Sequence, residues 1–422
     1  MGMYFDGNFW GSFIMQASVA EPALRHAMIA AGVFAEQREL ANANWPAVKH
    51  RHQAIKDAES VALNSYNKSI SLLANCAASS TTSTDVVLLT CILFVCIEFL
   101  RDDEDTAIRH FKGGMAIILD IVSRTGAPSS SKLITESVRK DILPFFNRLE
   151  MLYLLFGNDS PWPYPVSIPT SVPRTFCSLA QARDSLVHLM NHSLRFVRTM
   201  QCCNYEMSVI PDAAFHEQAN LLRQLQLWRL RFSAYRADQT HGVTPTDLYA
   251  ANVLEIQRLV TYTWVDVCTS PFECSHDPHI STYEEVVLLA EQLSAIADTQ
   301  TQRARYTDTF LFDVEIIGPI YWVAAKCRVP AVRRRAIAVL RGTQRREGMW
   351  DSEMTAASAE RIVAIEEAGI VEGAELPQEQ ARVHITLMQR KSRGGNPDRY
   401  VFTHHMKPDG VCREWTIWRE CI

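Results

Sequence analysis

The sequence has no excess of positive charge. Its 422 residues carry 42 Lys and Arg against 47 Asp and Glu, a net charge of −5. A chain whose whole surface grips nucleic acid is normally basic, so that class is excluded. No apolar run is long enough for a bilayer, whose core needs about 20 residues. The longest, Val86 to Leu100, contains Glu98 and is followed by Arg101, Asp102 and Asp103, which reads as a buried helix. The opening residues Met1 to Asp6 lack the basic region of a secretory signal. The chain is therefore expected to be intracellular with reduced thiols, and the sequons at Asn67, Asn158 and Asn191 carry little weight. Eleven cysteines are too few at this length for a disulfide scaffold, and no two are spaced Cys-x2-Cys. Catalytic signatures are missing too: there is no nucleophile elbow, no dinucleotide or phosphate-binding glycine loop, and no His-Glu-x-x-His. The reading is a non-enzyme.

What is present is helical periodicity. Ile108, Phe111, Met115, Ile118 and Val122 recur at steps of three and four. Leu186, Met190, Leu194 and Val197 repeat the pattern, as do Leu221, Leu225, Trp228 and Phe232. Ser281 and Glu284 have capping-box spacing ahead of Val286, Leu289, Leu293 and Ile296. Only 17 Gly and 18 Pro fit long helices joined by short loops. The expected fold is mainly α, a helical domain of packed hairpins.

Two breaks and a change of pattern divide the chain. Ala127 to Lys132 is a small polar loop, and five prolines between Pro161 and Pro173 predict a stiff extended connector. From Val383 the apolar residues alternate, with Tyr400–Phe402 and Val411–Trp418 as further strand candidates. The layout is an N-terminal helical half over 1–160, a connector over 161–175, a C-terminal helical half over 176–375 and a small antiparallel β appendage over 380–422.

Few residues suggest chemistry. Asp102 to Asp105 read as capping carboxylates at a helix start, and Cys91 and Cys96 as inert core thiols. Cys268, Cys274, His276 and His279 lie within twelve residues, a weak zinc candidate because their spacing matches no recurrent finger. Seven arginines fall between Arg328 and Arg346. Arg333, Arg334, Arg335 and Arg341 could form an interaction surface, but pairing with Glu347, Asp351, Glu353 and Glu360 is favoured over phosphate binding.

Several segments together resemble one family. Tyr321–Arg328, Val332–Ile337, Arg345–Ser352, Ala359–Ile362 and Ile365–Glu367 look like the C-terminal part of fungal zinc-cluster (six-cysteine, C6 finger) transcription factors. Leu88–Leu100, Ala107–Gly114, Phe9–Trp10, Pro22–Ala27, Phe176 and Ala182–Arg183 agree in the right order. The resemblance implies a helical regulatory region, a nuclear location, and control of metabolic or secondary-metabolite genes. It also implies an N-terminal six-cysteine zinc cluster, and here the sequence departs from the family, because its first cysteine is Cys76. That cluster is expected to be lost or to lie upstream of Met1, with zinc bound only in the second case. The departure counts against direct DNA binding by these residues.

The leading expectation is a transcription regulator that acts through a partner regulator, the transcription machinery or a small-molecule effector, with homo- or heterodimerisation left open. The alternative is a helical small-molecule-binding protein with no direct transcriptional role.

Overall fold

A computed structural model describes residues 7, 9–42, 51–78, 83–124, 142–156, 172–297 apart from 207 and 239–242, 310–391 apart from 313, 369 and 371–374, 399–406, and 416–421. Thirteen α-helices and six short strands occupy these residues, so the chain is mainly α as its periodicity predicts. The polar loop Ala127–Lys132 and connector residues 161–171 lie outside the described residues.

The chain folds as two compact units. One comprises Met1–Pro169, Ala304–Asp313 and Arg346–Met349; the other comprises Thr170–Arg303, Val314–Arg345 and Trp350–Ile422. A linear division at the proline connector does not foresee this interleaving. The two short segments that belong to the first unit pair with each other, β1 (Phe310–Leu311) in parallel with β2 (Arg346–Glu347).

The first unit begins with a π turn, Phe9–Ile14, then α1 (Met15–Ala20), α2 (Pro22–Asn42), α3 (Arg51–Ala78), α4 (Thr84–Leu100), α5 (Glu104–Arg124) and α6 (Leu143–Phe156). Helices α2 and α3 pack as one hairpin, α4 and α5 as another, and α2 also lies against α4. The α4 helix is buried on nearly every side, which accounts for its continuous apolar run. Its Glu98 is 1% exposed and pairs with Arg101 at 2.7 Å. Burial pushes the Cys91 thiol up to about 11. No helix among the described residues is long and apolar enough to cross a membrane.

The acidic run does cap a helix. Asp103 accepts from the Thr106 backbone N–H at 3.0 Å and from its hydroxyl at 2.7 Å, and Asp102 accepts from Arg38 at 3.0 Å and also from Arg346. On α5, Gly114 has no room for a side chain. A Cβ there would lie 2.5 Å from the Phe146 ring of α6.

The second unit contains α7 (Leu179–Glu206), α8 (Asp212–Asp238), α9 (Pro245–Val267), a 3-10 turn (Glu273–His279) and α10 (Ile280–Ala297). It continues with α11 (Ile317–Lys326), α12 (Pro330–Thr343), β3 (Trp350–Asp351) and α13 (Ser352–Ala368). All four residues of the stripe Leu186, Met190, Leu194 and Val197 are buried, as are Leu221, Leu225, Trp228 and Phe232. The Trp228 indole N–H donates to the Ala182 carbonyl at 3.0 Å, which ties α8 to α7. The capping box lies elsewhere than expected. Ser281 falls inside α10, because the 3-10 turn runs straight into that helix, and the box belongs to Thr244 and Asp247 at the start of α9.

The expected β appendage is a three-stranded antiparallel sheet in the order β4 (Val383–Lys391), β5 (Arg399–Met406), β6 (Thr416–Cys421). Val383 pairs with Met406, and the register shifts between Val383 and Ile385. Of the strand candidate Val411–Trp418, residues Thr416–Trp418 lie in β6, and residues 411–415 lie outside the described residues.

Candidate functional site

The polar chemistry of the second unit concentrates where α11, α12, α13 and the start of β4 meet. Lys326 ends α11, and the Val329-Pro330 step restarts the chain as α12 with proline at its first position. Arg333 follows in the first turn, on the same side as buried Val332, Ala336 and Leu340, so its guanidinium points inward. From α13, Glu366 faces it. Arg333 donates to Glu366 Oε2 at 2.8 Å, and Arg328 donates to Oε1 at 3.0 Å. The backbone N–H of Val383 also reaches Oε1, at 2.8 Å.

A second carboxylate, Glu273 of the 3-10 turn, accepts from Arg328 at 2.8 Å and from Lys326 Nζ at 2.8 and 2.9 Å. Lys326 Nζ also lies within hydrogen-bond distance of the Val383 and His384 carbonyls, at 3.2 and 2.8 Å, so its three N–H groups are shared among four oxygens. Around this core, Arg382 forks onto Asp277 at 2.7 and 2.8 Å, and Glu379 accepts from the Glu273 and Cys274 backbone N–H groups, both at 2.8 Å. Four cations thus face four carboxylates. Arg333 and Glu366 are 0% exposed and Arg328 is 2% exposed.

The protonation states follow from this arrangement. Burial opposes ionisation of Glu273, yet Lys326 and Arg328 outweigh it and hold the carboxyl far below its ordinary range. Burial likewise opposes ionisation of Glu379, but the His384 and backbone donors bring it down to about 2. For His276, burial is the largest influence and lowers its pKa to about 3 against the pull of Glu273. Its Nδ1 lies 2.7 Å from the Tyr283 hydroxyl. Carboxylates held fully ionised by neighbouring cations are poor proton shuttles. What the cluster does is fix the ends of four elements against one another. Charges buried in this way contribute specificity of arrangement more than net stability, and removing one partner costs about 3–5 kcal/mol.

Beside the cluster lies a pocket of about 90 Å³. Trp264 of α9, Trp322 of α11 and His276 supply aromatic walls, with Phe272 beside them and Lys326, Glu273 and His384 on the side of the charges. The two indoles meet edge to face at 5.4 Å, His276 stands edge-on to Trp322 at 5.5 Å, and Lys326 Nζ lies 5.4 Å from the Trp322 ring centre.

The residues singled out in the sequence take other places. Cys268 closes α9, its thiol donating to the Val265 carbonyl at 3.2 Å and pushed by burial to about 12. Cys274 is exposed, His276 bonds Tyr283, and His279 sits 3.0 Å from Asp266. Among the described residues no group of three or more His, Cys, Asp and Glu is placed to hold a metal ion. The arginines do not share one face. Arg333 is wholly buried, Arg334 pairs with Glu367 at 2.7 Å, Arg335 with Glu291 at 2.6 Å, and Arg341 with Glu360 at 2.7 Å and with Glu353. Of the four acidic partners expected from proximity in sequence, Glu353 and Glu360 are used by this helix. The others come from α13 and from α10, because helix packing sets the neighbours rather than chain distance. Sequence reasoning missed Glu273, Glu379 and Arg382. Glu273 is some fifty residues from Lys326 and about a hundred from Glu379 and Arg382, and only the fold assembles them.

Residues 3–262 match the fungal specific transcription factor domain, and the chain belongs to that family of transcription regulators. It is similar to the aspercryptin biosynthesis cluster-specific transcription regulator atnN of Emericella nidulans, with 22% identity over 447 residues that cover 86% of this chain and 72% of the relative. No solved structure matches the chain. The family match ends within α9, ahead of the buried charge cluster.

Proposed function

We propose that this chain regulates a secondary-metabolite biosynthetic gene cluster in the nucleus, through a DNA-bound partner or the transcription machinery rather than by catalysis. The observation that carries the reading is its similarity, over 86% of its length, to a regulator named for one biosynthesis cluster. The absence of any Cys-x2-Cys pair from the sequence supports action through a partner, since these residues supply no six-cysteine DNA reader. Full engagement of the arginines of α12 by glutamates supports a structural role for that helix over phosphate binding.

The test is to delete the gene and measure transcripts of neighbouring biosynthetic genes, while following a fluorescently tagged copy in the cell. A change of several-fold in those transcripts with nuclear signal is expected. Unchanged transcripts together with a cytosolic signal would overturn the reading.

A further inference from the structure

Helix α8 is apolar on two faces. Ala214, Leu221, Leu225, Trp228 and Phe232 form its buried face, and the helix packs on α7 and α9. About a third of a turn away, a second row advances by the same steps of three and four: Phe215, Ala219, Leu222, Gln226 and Leu230. Phe215 is 48% and Leu230 67% exposed; Ala219 and Gln226 are exposed and Leu222 is half-buried. Val209, 91% exposed, stands just ahead of the helix. Single apolar residues on a surface need no explanation, but a row at this spacing is what a helix presents to another helix.

The charge around the row is one-sided. From Gln218 to Ala237 the helix carries four arginines and no carboxylate, in a chain whose net charge is −5. Arg223 lies about 60° to one side of the row and Arg229 about 60° to the other. No acid stands three or four positions from either one. Neither makes an ion pair among the described residues, and Arg223 donates to the Asn220 side chain at 3.0 Å. The arginines of α12 differ in this respect, since each is matched by a glutamate.

These charges select the occupant. A second copy of the helix fits poorly: with the rows antiparallel and Phe215 opposite Leu230, the two Arg223 side chains approach each other near the axis. Nucleic-acid phosphates would pair with the arginines but leave the apolar row between them uncovered. A helix with its own apolar row and acidic flanks satisfies both features at once.

We propose that this face of α8 docks an acidic amphipathic helix of a partner protein, with its apolar residues along Phe215–Leu230 and its carboxylates on Arg223 and Arg229. A partner is what the transcriptional reading calls for, and to that extent the proposal rests on it. Binding is read on purified protein, so its failure leaves the transcriptional reading standing, and failure of that reading leaves the docking face standing.

The probe is a fluorescently labelled synthetic helical peptide of about 18 residues, with leucines at steps of three and four and glutamates on both flanks. It is titrated with full-length protein beside a second peptide that has lysines in place of the glutamates. The glutamate peptide should bind saturably, about tenfold more tightly than the lysine peptide, and more weakly as salt rises. Leu230→Ser changes an exposed residue, which leaves the fold intact, and should weaken the glutamate peptide about fivefold. Arg229→Glu should weaken it about tenfold and strengthen the lysine peptide. Arg334→Glu, the same change of charge on α12, should leave both almost unchanged. Absence of binding, equal affinity for the two peptides, or an effect of Arg334→Glu as large as that of Arg229→Glu would each overturn the proposal. A dimer in solution that Leu230→Ser dissociates would overturn it in favour of a second copy. Tighter binding to duplex DNA or to phosphatidylserine vesicles than to the glutamate peptide, abolished by Arg229→Glu, would overturn it in favour of those surfaces.

Discussion

Glu366→Gln is the most informative single change in the charge cluster. It keeps the shape of the side chain but removes the negative charge that faces Arg328 and Arg333, and the new amide N–H₂ points donors at a donor. Glu366 accepts three hydrogen bonds, from Arg328 at 3.0 Å, Arg333 at 2.8 Å and the Val383 N–H at 2.8 Å. Arg328 retains Glu273, so Arg333 is the residue left with its charge uncompensated. Breaking a buried pair on one side costs about 3–5 kcal/mol. For a unit of roughly 150–250 residues, each kcal/mol lowers Tm by about 2–4 °C, which gives a drop of about 6–20 °C. Because the chain divides into two compact units, the global measurement is paired with native-state amide exchange at Val383, whose N–H loses its carboxylate acceptor. Glu360→Gln is the control. That carboxylate pairs with Arg341 at the surface, 47% exposed, and its loss should change stability by under about 1 kcal/mol. If Glu366→Gln stays within about 1 kcal/mol of wild type, or no worse than Glu360→Gln, the reasoning about the cluster is refuted.

Three further outcomes are expected. Gly114→Ala drives a Cβ into the Phe146 ring and should destabilise the first unit by about 1–3 kcal/mol in a denaturant titration; an unchanged midpoint would show that α5 and α6 separate freely. Trp350→Ala removes a 7%-exposed ring that packs 5.7 Å from Tyr321 and against Gly318, and should cost about 3–5 kcal/mol, whereas a fully stable variant would contradict that packing. Stability should also fall on acidification. The pKa of His276 is lowered from 6.5 to about 3 in the fold, so the unfolded chain binds its proton first and stability declines as pH drops from about 6.5 toward 3. Glu379, lowered from 4.5 to about 2, adds a loss in the same direction below about pH 4.5. A denaturation series from pH 7 to pH 4 in wild type and His276→Gln checks this. The variant should show a shallower slope between pH 6.5 and 4.5, with the remainder carried by His110 and His188, whose pKa values burial also lowers; an identical slope in both proteins would assign the effect elsewhere.

The fold class was legible because it rests on local signals. Period-3.6 stripes such as Leu221, Leu225, Trp228 and Phe232 are buried as their spacing requires, and the alternation from Val383 onward does form strands. Pro330 begins α12 for the reason its missing N–H predicts. The site was legible only in part. Segments Tyr321–Arg328, Val332–Ile337 and Ile365–Glu367 carry the family resemblance, and they contain Lys326, Arg328, Arg333 and Glu366, the centre of the charge cluster. Their partner Glu273 lies some fifty residues before that stretch, Arg382, which bonds the Glu273 carbonyl, lies beyond its end, and no periodicity links them. The same limit explains why Arg333 reads as a surface residue in the triplet Arg333–Arg335. In sequence all three look alike, but α12 buries only the first, while Arg334 and Arg335 pair at the surface with Glu367 and Glu291. Capping signals also depend on what precedes them, as Ser281 shows: its spacing is right, but the chain before it is already coiled.

The measurement that tests the central claim most directly is restoration of transcription in a deletion strain. A copy encoding these 422 residues is placed under an inducible promoter, and RNA is sampled after induction with the tagged protein imaged in parallel. The account predicts that transcripts of the neighbouring biosynthetic genes return to the wild-type level once the protein enters the nucleus. Transcripts that stay at the deletion level while the protein accumulates in the nucleus would contradict it.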